Sequence, residues 1–199
     1  MRSAIVMAVV VTGLAAFPAA ADPKPGVANI GSASFTKVAI PPQAACSIDG
    51  PTTATAEAVS RPGITFGGGT SSCTTTTTSA TSTAAGKNFE LSALVPAGGP
   101  RVKLSTYTVT CTATQTQTNA NWTYGGLSGI PNPPSPVPPS YVSPIRKTDG
   151  TTLANAVFNV QTLPGDGSIE LTMLRIDFLP ASGLSGSVRV GETSCSPTP

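Results

Sequence analysis

The sequence predicts an all-β fold: an antiparallel β-sandwich, with a closed β-barrel as the alternative. Three observations carry that prediction. Polar and apolar residues alternate with a period of two in one short segment after another, as in Tyr107-Thr108-Val109-Thr110-Cys111-Thr112-Ala113. The chain's 20 glycines and 20 prolines punctuate those segments. Past residue 21 no stretch carries the periodicity of an amphipathic helix, and helix-favouring Lys, Glu, Arg and Leu are scarce beside the β-branched residues.

The elements follow in order. Met1-Arg2-Ser3 is a short basic start, Ala4 to Phe17 an apolar run, and Pro18-Ala19-Ala20-Ala21 a small-residue cleavage region. This is the three-part pattern of a secretory signal peptide over residues 1–21. The run is shorter than the ~20 residues that span a bilayer, so stable membrane insertion is not expected. Residues 22–45 read as an extended arm: Pro23 and Pro25 interrupt hydrogen bonding, Ser34 to Ile40 form a first strand, and Pro41-Pro42 stop it. A single sandwich domain is expected over 46–199.

Within it, Cys46 to Gly69 mixes short strand pieces with turns, and the threonine run from Ser72 to Thr83 reads as a strand. Lys87 to Val95 turns Phe89, Leu91 and Ala93 to one face, and Pro96 to Pro100 make a turn. In the strand from Leu104, threonine lines the solvent face while Tyr107, Val109, Cys111 and Ala113 face the core, which the strand should leave near Ala113. Trp122 and Tyr124 share one face of the next strand. Residues 130–144 hold so many prolines that they form an extended loop, because each proline lacks a ladder donor. Thr152 to Leu163 and Ser168 to Leu179 make a hairpin around Pro164-Gly165-Asp166-Gly167. Its second arm changes parity, from Ile169, Leu171 and Met173 to Leu174, Ile176 and Phe178, which calls for a bulge near Met173 or burial on both faces. In the last strand Val188 and Val190 point one way and Cys195 the other, which requires a bulge at Gly191 or a strand end near Glu192.

Four cysteines in an exported chain read as two disulfides. Three pairings are possible, and Cys46–Cys73 with Cys111–Cys195 is preferred because it keeps one bridge in each half. A metal site is the competing use of these residues, but the chain has neither C-x-x-C spacing nor any histidine.

The missing histidine also removes the usual Ser-His-Asp and Cys-His machinery, and no enzyme activity is expected. Ser34-Phe35-Thr36-Lys37 matches S-x-x-K, the remaining route to a hydrolase. That chemistry needs the serine and lysine one helical turn apart, and on a strand they point to opposite faces. Among the carboxylates, Asp149 and Asp166 suit turns, and Glu170 and Asp177 have opposite parity in a regular strand, so no glycosidase pair stands out. Asp166 with Glu170 lacks the dense oxygen set of a calcium loop. No cofactor is implied. With 11 basic and 9 acidic residues and no basic run, nucleic acid is not an expected partner, and a monomer is expected.

A binding role rests on Trp122, Tyr124 and Tyr141, which lie near the proline-rich loop. Such aromatics stack on sugars or peptides, which suggests a cell-wall glycan or another surface protein as partner. The plainer reading has Trp122 anchoring the core and Tyr124 covering an edge.

Three stretches together, Ser105 to Thr114 (STYTVTCTAT), Gly167 to Leu179 (GSIELTMLRIDFL) and Gly186 to Cys195 (GSVRVGETSC), resemble the choice-of-anchor P secreted proteins of actinobacteria over about residues 74–195. The family's late-hairpin histidine is replaced here near Asp177. The resemblance implies a bridge from Cys111 to Cys195 and a secreted or cell-envelope habitat, and it carries no activity.

Overall fold

The computed structural model describes residues 26–197, so the expected signal peptide and residues 22–25 lie outside the described residues. Fourteen strands among these residues form two antiparallel sheets packed face to face, a sandwich and not a closed barrel.

One sheet contains β1 (Val27–Phe35), β2 (Val38–Gln43), β3 (Cys46–Ser47), β11 (Tyr141–Arg146), β12 (Thr152–Thr162), β13 (Ile169–Phe178) and β14 (Gly186–Cys195). Its order is β11-β12-β13-β14-β1-β2, with β3 also paired to β1. The other contains β4 (Thr53–Ala56), β5 (Val59–Arg61), β6 (Ile64–Phe66), β7 (Gly69–Thr75), β8 (Ser79–Leu91), β9 (Val102–Thr114) and β10 (Thr118–Gly125). Its order is β10-β9-β8-β6-β5, with β7 pairing β8 and β4 pairing β7.

The core forms where β1 and β14 pack on β7, β8 and β9. Tyr107, Val109, Cys111 and Ala113 are buried as the two-residue rhythm requires, and β9 ends at Thr114. Both disulfides, Cys46–Cys73 and Cys111–Cys195, run between the sheets. Their Cα separations are 5.7 Å, well under the roughly 10 Å at which stacked sheets ordinarily lie. Small residues predominate there: Ala28, Ala80, Ser82 and Ala113 occupy this end, with Ile169 packed beside the Cys111–Cys195 bridge. Ser82 of β8 lies in register with Cys73 on one side and Cys111 on the other. Larger rings fill the sandwich farther along the strands, where Phe35 meets Phe178 and Phe66 meets Phe89.

Several expected elements changed. The segment read as a loose arm supplies β1, an interior strand, because residues from Val27 onward pair with β14. Pro41 and Pro42 do not stop the next strand: they lie in β2, an edge strand where a missing N–H costs no ladder bond. The threonine run is two strands and not one. It folds back after Thr75, and the Thr76 hydroxyl accepts hydrogen bonds from the backbone of Thr78 and Ser79. The proline-rich segment is a loop up to Ser140, but Tyr141 to Pro144 belong to edge strand β11.

The parity change in the hairpin has a shared cause. Asn159 and Gly191 take left-handed φ angles of 56° and 66°. Both flank Met173, because the registers Phe158↔Leu174, Val160↔Thr172, Thr172↔Glu192 and Leu174↔Val190 are continuous across it. Ile30 occupies the same rung on β1, between Asn29↔Glu192 and Gly31↔Val190. Neighbouring strands therefore kink together, and no strand gains a residue. Met173 and Leu174 are both buried, and β14 reaches Cys195 without ending at Glu192. The anticipated irregularity at Gly191 is present, as a kink without an extra residue.

Candidate functional site

β10 is built for one-sided burial: Asn119, Asn121 and Thr123 are exposed, while Ala120, Trp122 and Tyr124 alternate inward and are half-buried. Among the described residues its only partner is β9, with Trp122 opposite Val109 and Tyr124 opposite Tyr107. Beyond Gly125 the chain crosses to the other sheet through the proline-rich loop. That crossing leaves a cleft of about 530 Å³ between β10, the loop at Pro133 to Val137, and β12 at Asn159 and Gln161.

Trp122 lines the cleft. Its ring lies 5.7 Å from Tyr124 and 6.4 Å from Phe158, each within 23° of parallel. Its indole N–H donates to Asn159 Oδ1 at 3.4 Å. Asn159 Oδ1 also accepts from Gln161 Nε2 at 2.8 Å, and Asn159 Nδ2 donates to the Val137 carbonyl at 2.9 Å. The Ser140 backbone N–H donates to the Asn159 carbonyl at 2.9 Å. One buried side chain thus ties the tryptophan, the loop and the sheet together. Among the described residues no charged side chain lines the cleft.

Of the three sequence-predicted binding residues, Trp122 and Tyr124 come together and Tyr141 does not. Tyr141 is half-buried on β11 opposite Phe158 and lines no part of the cleft. Asn159, a polar residue in an apolar strand, is buried, at 8% exposure, by the left-handed turn of its backbone. A sequence signal for it exists, since asparagine tolerates that conformation better than most residues. Replacing Asn159 by alanine should destabilise the domain by about 3 kcal/mol, combining a lost buried hydrogen-bond hub with left-handed strain. Glycine at the same position should recover about 1 kcal/mol of that loss, measured by urea unfolding.

The remaining chemistry-bearing residues are dispersed. Ser34 is exposed on β1 opposite Ala39 and Ser187, and Lys37 lies in the turn that follows, so they do not share a helix face. Asp149 serves its turn: the Thr151 backbone N–H, then the Thr151 hydroxyl and the Lys147 ammonium, hold its carboxyl down at about 2. Asp166 accepts from the Ser168 hydroxyl and N–H, which also lower its pKa. Glu170 and Asp177 share the outer face after all, because the kink at Met173 reverses the parity between them. The Asp177 carboxylate is tied to Arg175 Nε at 2.9 Å. Among the described residues no cluster of three or more Asp, Glu or Cys side chains is arranged to hold a metal ion.

Comparison of the chain with family models, curated proteins and solved structures finds no match.

Proposed function

We propose that this chain is an exported, non-enzymatic binding domain and that the cleft between β10 and the proline-rich loop is its ligand seat. The observation that carries the reading is the Trp122–Tyr124 pair, half-exposed in a neutral cleft with the amides of Asn159 and Gln161 beside it. A volume of about 530 Å³ is in the range of ordinary ligand pockets, which combine apolar walls with a few placed polar groups. The protein's own contacts hold those groups in place before a ligand arrives.

Export is supported by the two disulfides, which suit an oxidising compartment. The N-terminal pattern and the resemblance to choice-of-anchor P proteins favour the cell envelope or the medium. Among the described residues, no helix is long and apolar enough to cross a membrane.

Trp122 is the chain's single tryptophan, so its emission reports directly on the cleft. Titration with cell-wall polysaccharides and with peptides should give a saturable change with at least one class, and Tyr124→Ala should weaken that response about tenfold. Silence toward both panels from a folded protein would sink the proposal.

A further inference from the structure

The sheet edges differ in how well they are protected. β2 carries Pro41 and Pro42, and β11 carries Pro144 and Arg146. β4 has four residues, and β5 has three, one of them Arg61. These are the usual devices that stop a foreign strand from pairing: proline, charge and shortness. β10 has none of them. Its eight residues, TNANWTYG, contain neither proline nor charge and, among the described residues, pair with β9 alone.

We infer that β10 accepts an extended, uncharged peptide as an added strand, with alternate peptide side chains entering the cleft beside Trp122. The inference rests on the cleft being a ligand seat and names its occupant.

Register shows which backbone groups are free. The Thr114 N–H donates to the Gln117 carbonyl at 2.8 Å, which makes that rung a hydrogen-bonded one. In an antiparallel ladder such rungs alternate, so Asn119, Asn121 and Thr123 bond to β9. The N–H and C=O groups of Ala120, Trp122 and Tyr124 then point away from β9, along the cleft. They repeat every two residues, about 6.8 Å. An extended peptide offers matching donors and acceptors at that spacing, and a polysaccharide does not. A sugar is disfavoured also because Tyr124 and Phe158 already stack on Trp122.

Side-chain chemistry narrows the occupant further. A charged group entering this neutral cleft would lose water and find no counter-ion. The pattern β10 already pairs with, Thr108-Val109-Thr110-Cys111-Thr112, puts threonine outward and small or branched residues inward. A peptide of the same pattern would continue the sheet on both faces.

The probe is a capped Thr-Val-Thr-Val-Thr peptide, followed by Trp122 emission and by amide hydrogen exchange. Binding should saturate and slow exchange at Ala120, Trp122 and Tyr124 at least tenfold. Ala120→Pro removes one free donor and no ladder bond, so it should keep the thermal midpoint and weaken binding at least tenfold, while Ala120→Val retains binding. Should Ala120→Pro fail to fold, the same peptide methylated on alternate backbone nitrogens supplies the test, and it must not bind the unmodified protein. Peptide binding that leaves the three amides unprotected, or a response to polysaccharide alone, overturns strand addition while the cleft remains a ligand seat. A concentration-dependent dimer through β10 that the peptide does not dissociate also overturns it. Silence toward every probe removes both readings.

Discussion

Replacing Cys111 and Cys195 together by alanine should cost the domain about 4.5 kcal/mol, the largest effect expected of any local change. The bridge closes a loop with a sequence separation of 84 residues, and closing so long a loop removes much of the unfolded chain's freedom. The same reasoning gives about 3.5 kcal/mol for Cys46–Cys73, whose separation is 27. Both bridges are buried, and both join one sheet to the other at the end where the core holds mostly alanine and serine. Apolar burial is weakest there, so the covalent ties replace packing that larger side chains supply elsewhere. Guanidinium unfolding of the two double-alanine variants checks the order. A smaller loss for Cys111/Cys195 than for Cys46/Cys73 would show that loop length is not the controlling quantity.

Gly86→Ala should cost about 4 kcal/mol, although it adds a single methyl group. Gly86 on β8 lies directly opposite Tyr107 on β9, and a Cβ at Gly86 would overlap the phenol ring. That ring crosses the core so that the Tyr107 hydroxyl donates to the Ile30 carbonyl at 2.8 Å, on the kinked rung of the other sheet. Displacing it combines overpacking, about 1–3 kcal/mol, with a buried carbonyl left unpaired, about another 1–3 kcal/mol. Tyr107→Phe should show the second contribution alone, and Gly86→Ala should cost much less in a Tyr107→Val background.

The same tyrosine makes an alkaline prediction. Burial raises the Tyr107 pKa far above its ordinary value of about 10. The folded protein therefore keeps a proton that the unfolded chain releases. Its stabilising contribution is complete below about pH 10 and is lost as pH rises beyond it, by about 1.4 kcal/mol per pH unit. Unfolding curves from pH 9 to 11 should be steeper in pH for the parent than for Tyr107→Phe. Parallel curves would place the alkaline sensitivity elsewhere.

How far each of these features was legible depends on whether its signal is local. The alternation around Tyr107 to Ala113 is, because side chains on a strand point to opposite faces in turn. The hairpin of β12 and β13 is too, with turn residues between two apolar arms. The threonine run was legible as β structure but not as two strands, since a repeated residue marks neither a face nor a turn. Trp122 and Tyr124 were legible as neighbours by their shared parity, and the cleft they line was not. Asn159, which ties Trp122 to the loop, gave no periodic signal, because its role comes from one left-handed residue.

By itself the sequence determined most of the strands, which follow from residue type and short-range spacing, and it favoured one cysteine pairing of three. Tertiary structure alone decided that both disulfides cross between sheets, that the parity changes of β13 and β14 share one rung, and that β10 ends its sheet among the described residues. The physical reason is that a strand's own residues set which face it buries, while its neighbours depend on pairing across the whole chain. An edge is defined by a partner that is missing, and no local pattern records that.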